Sequence, residues 1–242
     1  MDLMKPYEFC LPELIAMTSW KLANKHRAVV FAPHPDDDIL ACGGTIALKI
    51  MQGYGIYIVY MTDGRNSHLY ELGIASDPSP SELAEIRKGE AKKALSILGL
   101  DKDALIFLNF EDGTLENNIY AAEMEVKQIL KNLQPLEIYF PAFRDKHRDH
   151  HAANIIVYES LKAVRFRGST YQYTIYGNQD GTCLNEKKSI DISSVLDLKK
   201  KAIQKHQSQV AKLFPKQERA ILSESLVAKF LGNTEVFAFL HL

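Results

Sequence analysis

AVVFAPHPDDDILACGGTIALKIM, residues 28–51, is the stretch whose reading decides the fold class. Its first five residues are all apolar, as in a buried strand, and residues 39–52 carry a helical pattern. Between them stand one imidazole, His34, and three consecutive carboxylates, Asp36, Asp37 and Asp38. Desolvating so many like charges at the end of a buried strand needs a compensating cation, because unpaired buried carboxylates either neutralise or destabilise the fold. A divalent metal is the simplest compensator.

The same alternation continues along the chain. Strand-like runs at 56–61, 104–108 and 136–140 are followed by helical patterns at 81–98, 121–133 and 152–164, with Ser79 or Ser81 as N-cap of the first and Gly99 as its stop. Four strand-then-helix units predict an α/β fold: a doubly wound, Rossmann-like, mostly parallel sheet with helices on both faces. A weak helical pattern at 12–25 precedes it. Short strands at 171–176, 189–192 and 236–240 follow, with helices at 195–207 and 216–231. No Pro/Gly/Ser-rich linker intervenes, so 1–242 reads as one domain, with 1–26 as a helical lead-in and 168–242 as a C-terminal extension.

In open α/β sheets ligands bind beyond the carboxyl ends of the strands. All four strands are followed by ionisable loops: 34–38, 62–68, 109–113 and 144–151. That edge is the predicted active site. The loop from Asn66 to Pro80 is longer than usual, as functional lids often are.

Composition narrows the function classes. The chain has 242 residues, 46% hydrophobic and 24% charged, with 29 basic against 30 acidic residues and a net charge of -1. It is long enough for a sizeable core, and nothing in its charge balance attracts nucleic acid or an anionic membrane. It has no basic patch interleaved with aromatics and no G-x-x-x-x-G-K-[ST] motif. Cys10, Cys42 and Cys183 are widely spaced, which argues against a disulfide framework or a thiolate zinc site and suits a reducing compartment. The N-terminus does not read as a secretory signal, and no apolar run reaches the roughly 18 residues of a membrane span. The expectation is a soluble cytoplasmic protein. Oligomeric state is not readable.

His34 and Asp37, three residues apart at a strand-to-helix turn, can point at one ion, and His150 or His151 from the fourth loop would complete a two-His, one-carboxylate set. Three protein ligands with an open position describe a hydrolytic zinc site, where bound water is acidified towards ~7. Asp36 is then left as general base, and His147 is placed to polarise or protonate the reacting group, with Asp149 orienting it. Asp38 falls in the first helical turn, where the helix dipole favours a carboxylate. Gly43 and Gly44 permit close backbone approach. Taken alone, an Asp-rich turn before a helix is more often a cap, and His68, His206 and His241 read as solvated. Two such clusters following strands of one sheet point instead to a metal.

APHPDDDILACGGTI (residues 32–46) together with HRDHHAAN (147–154) resembles the LmbE-like/PIG-L de-N-acetylases, zinc-dependent hydrolases of N-acetylglucosamine-containing compounds. YMTDGRNS, ELAEIRKGEAKKALSILGL, FLNFEDGTL and KKKAIQKHQSQ are similar to further segments of that family, so the resemblance extends over most of the chain. It implies His34, Asp37 and His150 as metal ligands, Asp36 as general base, His147 as electrophile and Asp149 as its orienting acid. It also implies Arg87 as a residue that can contact substrate. Arg65, with Arg144, Lys146 and Arg148, adds cationic character suited to a phosphate or nucleotide on the substrate. The expected cofactor is Zn2+, with Fe2+ or another divalent transition metal as the alternative, and the expected partner is a small amino-sugar substrate. Two positions depart from the pattern: Asp38 stands where glutamate is usual and Ala41 where glycine is common.

Other readings use the same residues. Other amide hydrolysis on a sugar conjugate fits the same machinery. Two His and one carboxylate also describe a non-haem iron oxygenase, although such an enzyme has no evident need of Asp36. A sugar-binding module retaining the fold predicts a damaged catalytic set, yet every expected position is filled.

Overall fold

The computed structural model describes residues 26–177 and 186–242. β1 (Arg27–Ala32) leads into α1 (Asp37–Met51), and β2 (Gly55–Thr62) into the short α2 (Ser67–Leu72) and the long α3 (Pro80–Ile97). β3 (Leu105–Phe110) precedes α4 (Ile119–Leu133), and β4 (Glu137–Pro141) precedes α5 (Arg148–Ala163). β5 (Ser169–Tyr173), β6 (Lys187–Asp191), α6 (Leu196–Ile203), the single turn α7 (Gln207–Val210), α8 (Glu224–Ala228) and β7 (Thr234–Phe239) complete the chain. The helical pattern at 12–25 lies outside the described residues.

The strands form one sheet in the order β3-β2-β1-β4-β5-β7-β6. β1 to β5 are parallel neighbours, and β7 runs antiparallel to both β5 and β6. Central strands of a parallel sheet are buried on both faces and are therefore apolar throughout. Val30 and Ala32 of β1, with Ile58 and Tyr60 of β2, join one core with α1, α3 and α6. Val29, Phe31, Val59 and Met61 face the other way, into a core shared with α4 and α5. This is a three-layer α/β fold. Among the described residues no helix is long and apolar enough to cross a membrane.

Local signals set the helix boundaries. Ser79 accepts from the Glu82 amide while the Glu82 side chain returns to the Ser79 amide, and Pro80 follows as first helical residue. Gly99 takes a positive φ of 87° just past the end of α3. Three expectations shift. α5 begins at Arg148 rather than near Ala152, because His147 acts as its N-cap: the His147 ring nitrogen accepts from the Asp149 amide. Residues 195–207 divide into a short 3-10 turn, α6 and the start of α7. Most of 216–231 is irregular. The buried Gln217 amide bonds the backbone of Ala211, Leu213 and Phe214, organising a turn, and Ser223 caps a helix that starts only at Glu224.

The C-terminal elements seat on α1 through Gly43-Gly44. A Cβ at Gly44 would lie 2.5 Å from Ile192 Cγ2, so only glycine admits that contact. The Glu235 carboxylate then reaches the middle of α1, accepting from the Gly44 and Thr45 amides, both at 2.8 Å, and from the Lys199 ammonium at 2.7 Å.

The chain leaves β1 for β2 and β3 on one side, then returns to β4 and β5 on the other. The carboxyl ends of β1 and β4 therefore flank the switch point of the sheet, where a crevice must open.

Candidate active site and metal centre

His34 follows β1, Asp37 opens α1, and His150 sits in the first turn of α5. Asp37 Oδ2 is 3.1 Å from His34 Nδ1 and 3.1 Å from His150 Nε2, and the two ring nitrogens are 3.3 Å apart. All three side chains are buried. Ligands about 2.0–2.1 Å from a tetrahedral zinc stand roughly 3.3–3.4 Å from each other, so this triangle of donors already has the edge length that such an ion needs. The donor set, two imidazoles and one carboxylate, fits a divalent transition metal.

The surrounding groups orient those donors. Asp145, also buried, places Oδ2 at 3.2 Å from His150 Nδ1 while accepting from the Ile175 and Tyr176 amides at 2.7 and 3.1 Å. On the far side of His34, Nε2 contacts Asp112 Oδ1 at 3.1 Å and Asp149 Oδ2 at 3.3 Å. Asp149 is held by the Gly113 and Leu115 amides, and Asp112 by the Asn66 amide. Each of these two histidines thus has one nitrogen at the centre and the other against a fixed carboxylate, the arrangement that sets tautomer and ring direction where histidines bind a metal.

The charges answer one another. Burial by itself would lower the His150 pKa, yet Asp37 and Asp145 push it up to about 9. His34 is likewise raised despite burial, chiefly by Asp112. Asp37 is held well below the usual carboxylate range by His150 and His34 against the opposing effect of burial. The carboxylates around these rings thus favour positive charge at the centre, which a bound divalent cation would supply.

Asp36 and His147 flank the triangle. Asp36 is buried and raised by desolvation, an effect that Arg87 opposes across a contact of 3.0 Å. The His147 ring meets the His34 ring edge-on at 4.7 Å between centroids. Its Nδ1 accepts from the Asp149 amide at 3.2 Å, which leaves the proton of the neutral ring on Nε2. Burial, followed by the positive charges of His34 and His150, lowers its pKa to about 4. The main chain of Asp149, not its carboxylate, makes this bond; the carboxylate is committed to His34 and two amides.

A family model described as PIG-L, GlcNAc-PI de-N-acetylase, matches residues 29–161, which include every residue of this cluster. The chain belongs to the PIG-L family. A probable N-acetyl-alpha-D-glucosaminyl L-malate deacetylase 2 of Bacillus cereus is 30% identical over 77% of this chain and 84% of its own length. A putative glucosamine-6-phosphate deaminase-like protein of Bacteroides thetaiotaomicron is 26% identical over 86% of this chain, which spans only 37% of that relative. Among solved structures, N,N'-diacetylchitobiose deacetylase from Pyrococcus horikoshii superposes with a TM-score of 0.66 at 22% identity, covering 99% of this chain and 95% of that one.

The remaining positions of the PIG-L motifs fall as follows. Asp38, in the first turn of α1, is fully buried, accepts from the Tyr60 hydroxyl at 2.9 Å, and is pushed up to about 8 by desolvation. It is therefore a core carboxyl and not simply a dipole partner at a solvated helix start. Arg65 turns back onto Asp63, with Nε at 2.7 Å. Arg87 is 2% exposed, and its guanidinium lies against Asp36 and the Gly64 carbonyl. His68 and His206, read as solvated, are each 1% exposed, whereas His241 is exposed. His68 contacts the Ser208 carbonyl at 3.0 Å. Asp112 and Asp145 had no assigned role from sequence. Both stand in the ionisable loops after β3 and β4, but only the packed fold shows which carboxylate meets which ring.

Proposed function

We propose that this protein is a zinc-dependent de-N-acetylase, hydrolysing the N-acetyl group of an N-acetylglucosamine-type sugar or conjugate to acetate and a free amine. The observation that carries the reading is the buried triangle of His34, Asp37 and His150, with a spare carboxylate, Asp36, and an Nε2-protonated imidazole, His147, on its borders. The printed activities of the Bacillus and Pyrococcus relatives support the same substrate class.

His34, Asp37 and His150 would hold the ion, which when bound supplies a Lewis acid and an acidified water. Asp36 takes the proton of the attacking water as its oxygen adds to the acetyl carbon. His147 donates from Nε2 towards the carbonyl oxygen as negative charge develops there. The C–N bond breaks, the proton held by Asp36 passes to the leaving nitrogen, and acetate and amine depart. Asp149 and Asp112 hold His34, and Asp145 holds His150, through the change.

The test is release of free amine by zinc-loaded protein from a panel spanning N-acetylglucosamine, diacetylchitobiose and anionic N-acetylglucosaminides. Asp36→Ala should retain zinc and lose turnover by about 100-fold or more. Equal turnover in that variant removes the proposed base, and no amine from any member of the panel overturns the assignment. Oxygen uptake by iron-loaded protein with a co-substrate would favour the oxygenase reading instead.

A further inference from the structure

β5 and β7 pair over two residues only, Tyr171 with Phe239 and Gln172 with Ala238. Beyond that point β7 follows β6 as far as Thr234, and the end of β5 follows β4, where Tyr173 pairs with Pro141. The two strands part between Thr174 and Val236, and a cavity of about 660 Å3 opens in the gap. Tyr158 of α5 lines it on one face of the sheet, and Ala41 of α1 with Lys199 of α6 on the other. Small-molecule sites are typically roughly 300–1,000 Å3. Among the described residues, neither the metal triangle nor Asp36 or His147 belongs to its wall. The segment after β4 divides the two places: Asp145 turns inward to His150, while Arg144 and Lys146 line the cavity.

The polar groups of this wall are not satisfied from within. Gln172 pairs with Phe140 and faces α5, away from the core that holds Tyr171 and Tyr173. It is 6% exposed, and its side-chain amide has no hydrogen-bond partner among the described residues. Asn154, 5% exposed, donates from Nδ2 to the Pro141 carbonyl at 2.7 Å, and its Oδ1 has no partner among the described residues. Buried amides without hydrogen bonds are costly and uncommon, so these two mark where polar groups of a ligand belong.

The charges have a sign. Lys199 is answered by Glu235 at 2.7 Å, and Glu159 by Lys162 at 3.0 Å. Arg144, Lys146 and Lys229 are exposed where they line the cavity and have no ion-pair partner among the described residues. Phe143 and Val236, beside them, are exposed apolar groups.

We propose that this cavity is a ligand site separate from the metal centre, taking an organic anion with an apolar body. The acidic group lies among Arg144, Lys146 and Lys229, the body lies against Phe143, Tyr158 and Val236, and Gln172 and Asn154 bond its inner polar atoms. Binding here needs neither the metal nor the deacetylase activity.

The probe is 8-anilinonaphthalene-1-sulfonate, an aromatic anion whose emission rises in apolar surroundings, titrated into zinc-loaded protein. Saturable binding of one equivalent is expected, at least about 10-fold tighter than that of the uncharged N-phenyl-1-naphthylamine. Arg144→Glu/Lys229→Glu, on the exposed rim, should weaken it about 10-fold or more, and the charge-matched Lys93→Glu/Lys131→Glu should not. Ala238→Trp, which fills the space opposite Gln172, should abolish it; circular dichroism shows whether that variant folds, and the rim variant decides the matter if it does not. Cobalt-loaded protein should bind the probe equally with an unchanged visible spectrum. A spectrum that changes in step with binding would put the sulfonate on the metal and overturn the proposal. So would no saturable binding, equal affinity for the uncharged compound, undiminished binding by the rim variant or by folded Ala238→Trp, or an equal loss in the charge-matched control. Because binding is read without catalysis, amine release by the wild type bears only on the deacetylase reading.

Discussion

Glu235→Ala should be strongly destabilising although Glu235 lies outside the metal triangle. The Glu235 carboxylate is 5% exposed and the Lys199 side chain 1%, with Nζ and Oε1 2.7 Å apart. Glu235 also accepts from the Gly44 and Thr45 amides and from the Thr45 hydroxyl at 2.6 Å, all in the interior of α1. Alanine would leave a buried ammonium without a counter-charge. Breaking a buried pair from one side costs about 3–5 kcal/mol, because the remaining charge is desolvated and unpaired. The orphaned amides add little, since each can still donate along the helix. In a chain of this size about 1 kcal/mol corresponds to 2–4 °C, so the melting temperature should fall by roughly 6–20 °C. Guanidinium denaturation of the zinc-loaded protein, read by circular dichroism, measures the loss directly, with Glu235→Gln as a shape-preserving control. The double variant Lys199→Met/Glu235→Met should recover at least half of it, because replacing both charges by apolar groups is often close to neutral. A Glu235→Ala loss under about 1 kcal/mol, or a double variant as unstable as the single, would refute the view that this pair balances itself inside the core.

Further expectations concern the second layer around the centre and the buried histidine beside α3. Asp145→Asn keeps the shape of the group facing His150 but removes its charge, and should weaken zinc binding about 10–100-fold in competition with a chelator; unchanged affinity would detach Asp145 from the metal centre. His206 is 1% exposed, and the Pro35 carbonyl faces its ring without meeting hydrogen-bond geometry. Burial, with Arg87 next in effect, lowers its pKa to about 3. The unfolded chain therefore binds this proton from about pH 6.5 downward while the folded chain does not, so stability is present above pH 6.5 and is lost as pH falls towards 3. Between pH 8 and 5.5 this one group should remove about 1.4 kcal/mol. In urea titrations, the loss of unfolding free energy from pH 8 to pH 5.5 should be larger in wild type than in His206→Gln by that amount, and equal losses would contradict it.

Much of the fold is legible because parallel strands advertise themselves. Val29 to Ala32 and Ile56 to Met61 are apolar without alternation, as only strands covered on both faces can be. Ser79 with Glu82, followed by Pro80, marks the start of α3 by hydrogen-bonding groups that act within one turn. The C-terminal third is less legible for the same physical reason in reverse. Gln217 stops a helix by bonding three backbone groups that a periodic pattern does not record. α5 starts early because a histidine, an uncommon cap, takes the place of serine or aspartate.

The sequence by itself determined the strand-then-helix repeat, the carboxyl-edge clustering of ionisable residues, and the pairing of the 34–38 cluster with the 147–151 cluster. Each of these is a matter of local pattern, repeated at a period that the chain itself displays. The sequence also suggested a separate role for each of the three acids; the tertiary structure alone decided what each of them meets. Asp37 meets two imidazoles, Asp36 meets Arg87, and Asp38 turns into the core towards Tyr60. Three adjacent carboxylates look alike in a sequence, and what separates them is the rotation of a helix start: each residue turns by about 100°, so the three point in three directions. Arg87, too, becomes a partner of Asp36 only because Glu90 and Ser208, remote in the chain, hold α3 against the end of β1 and β2.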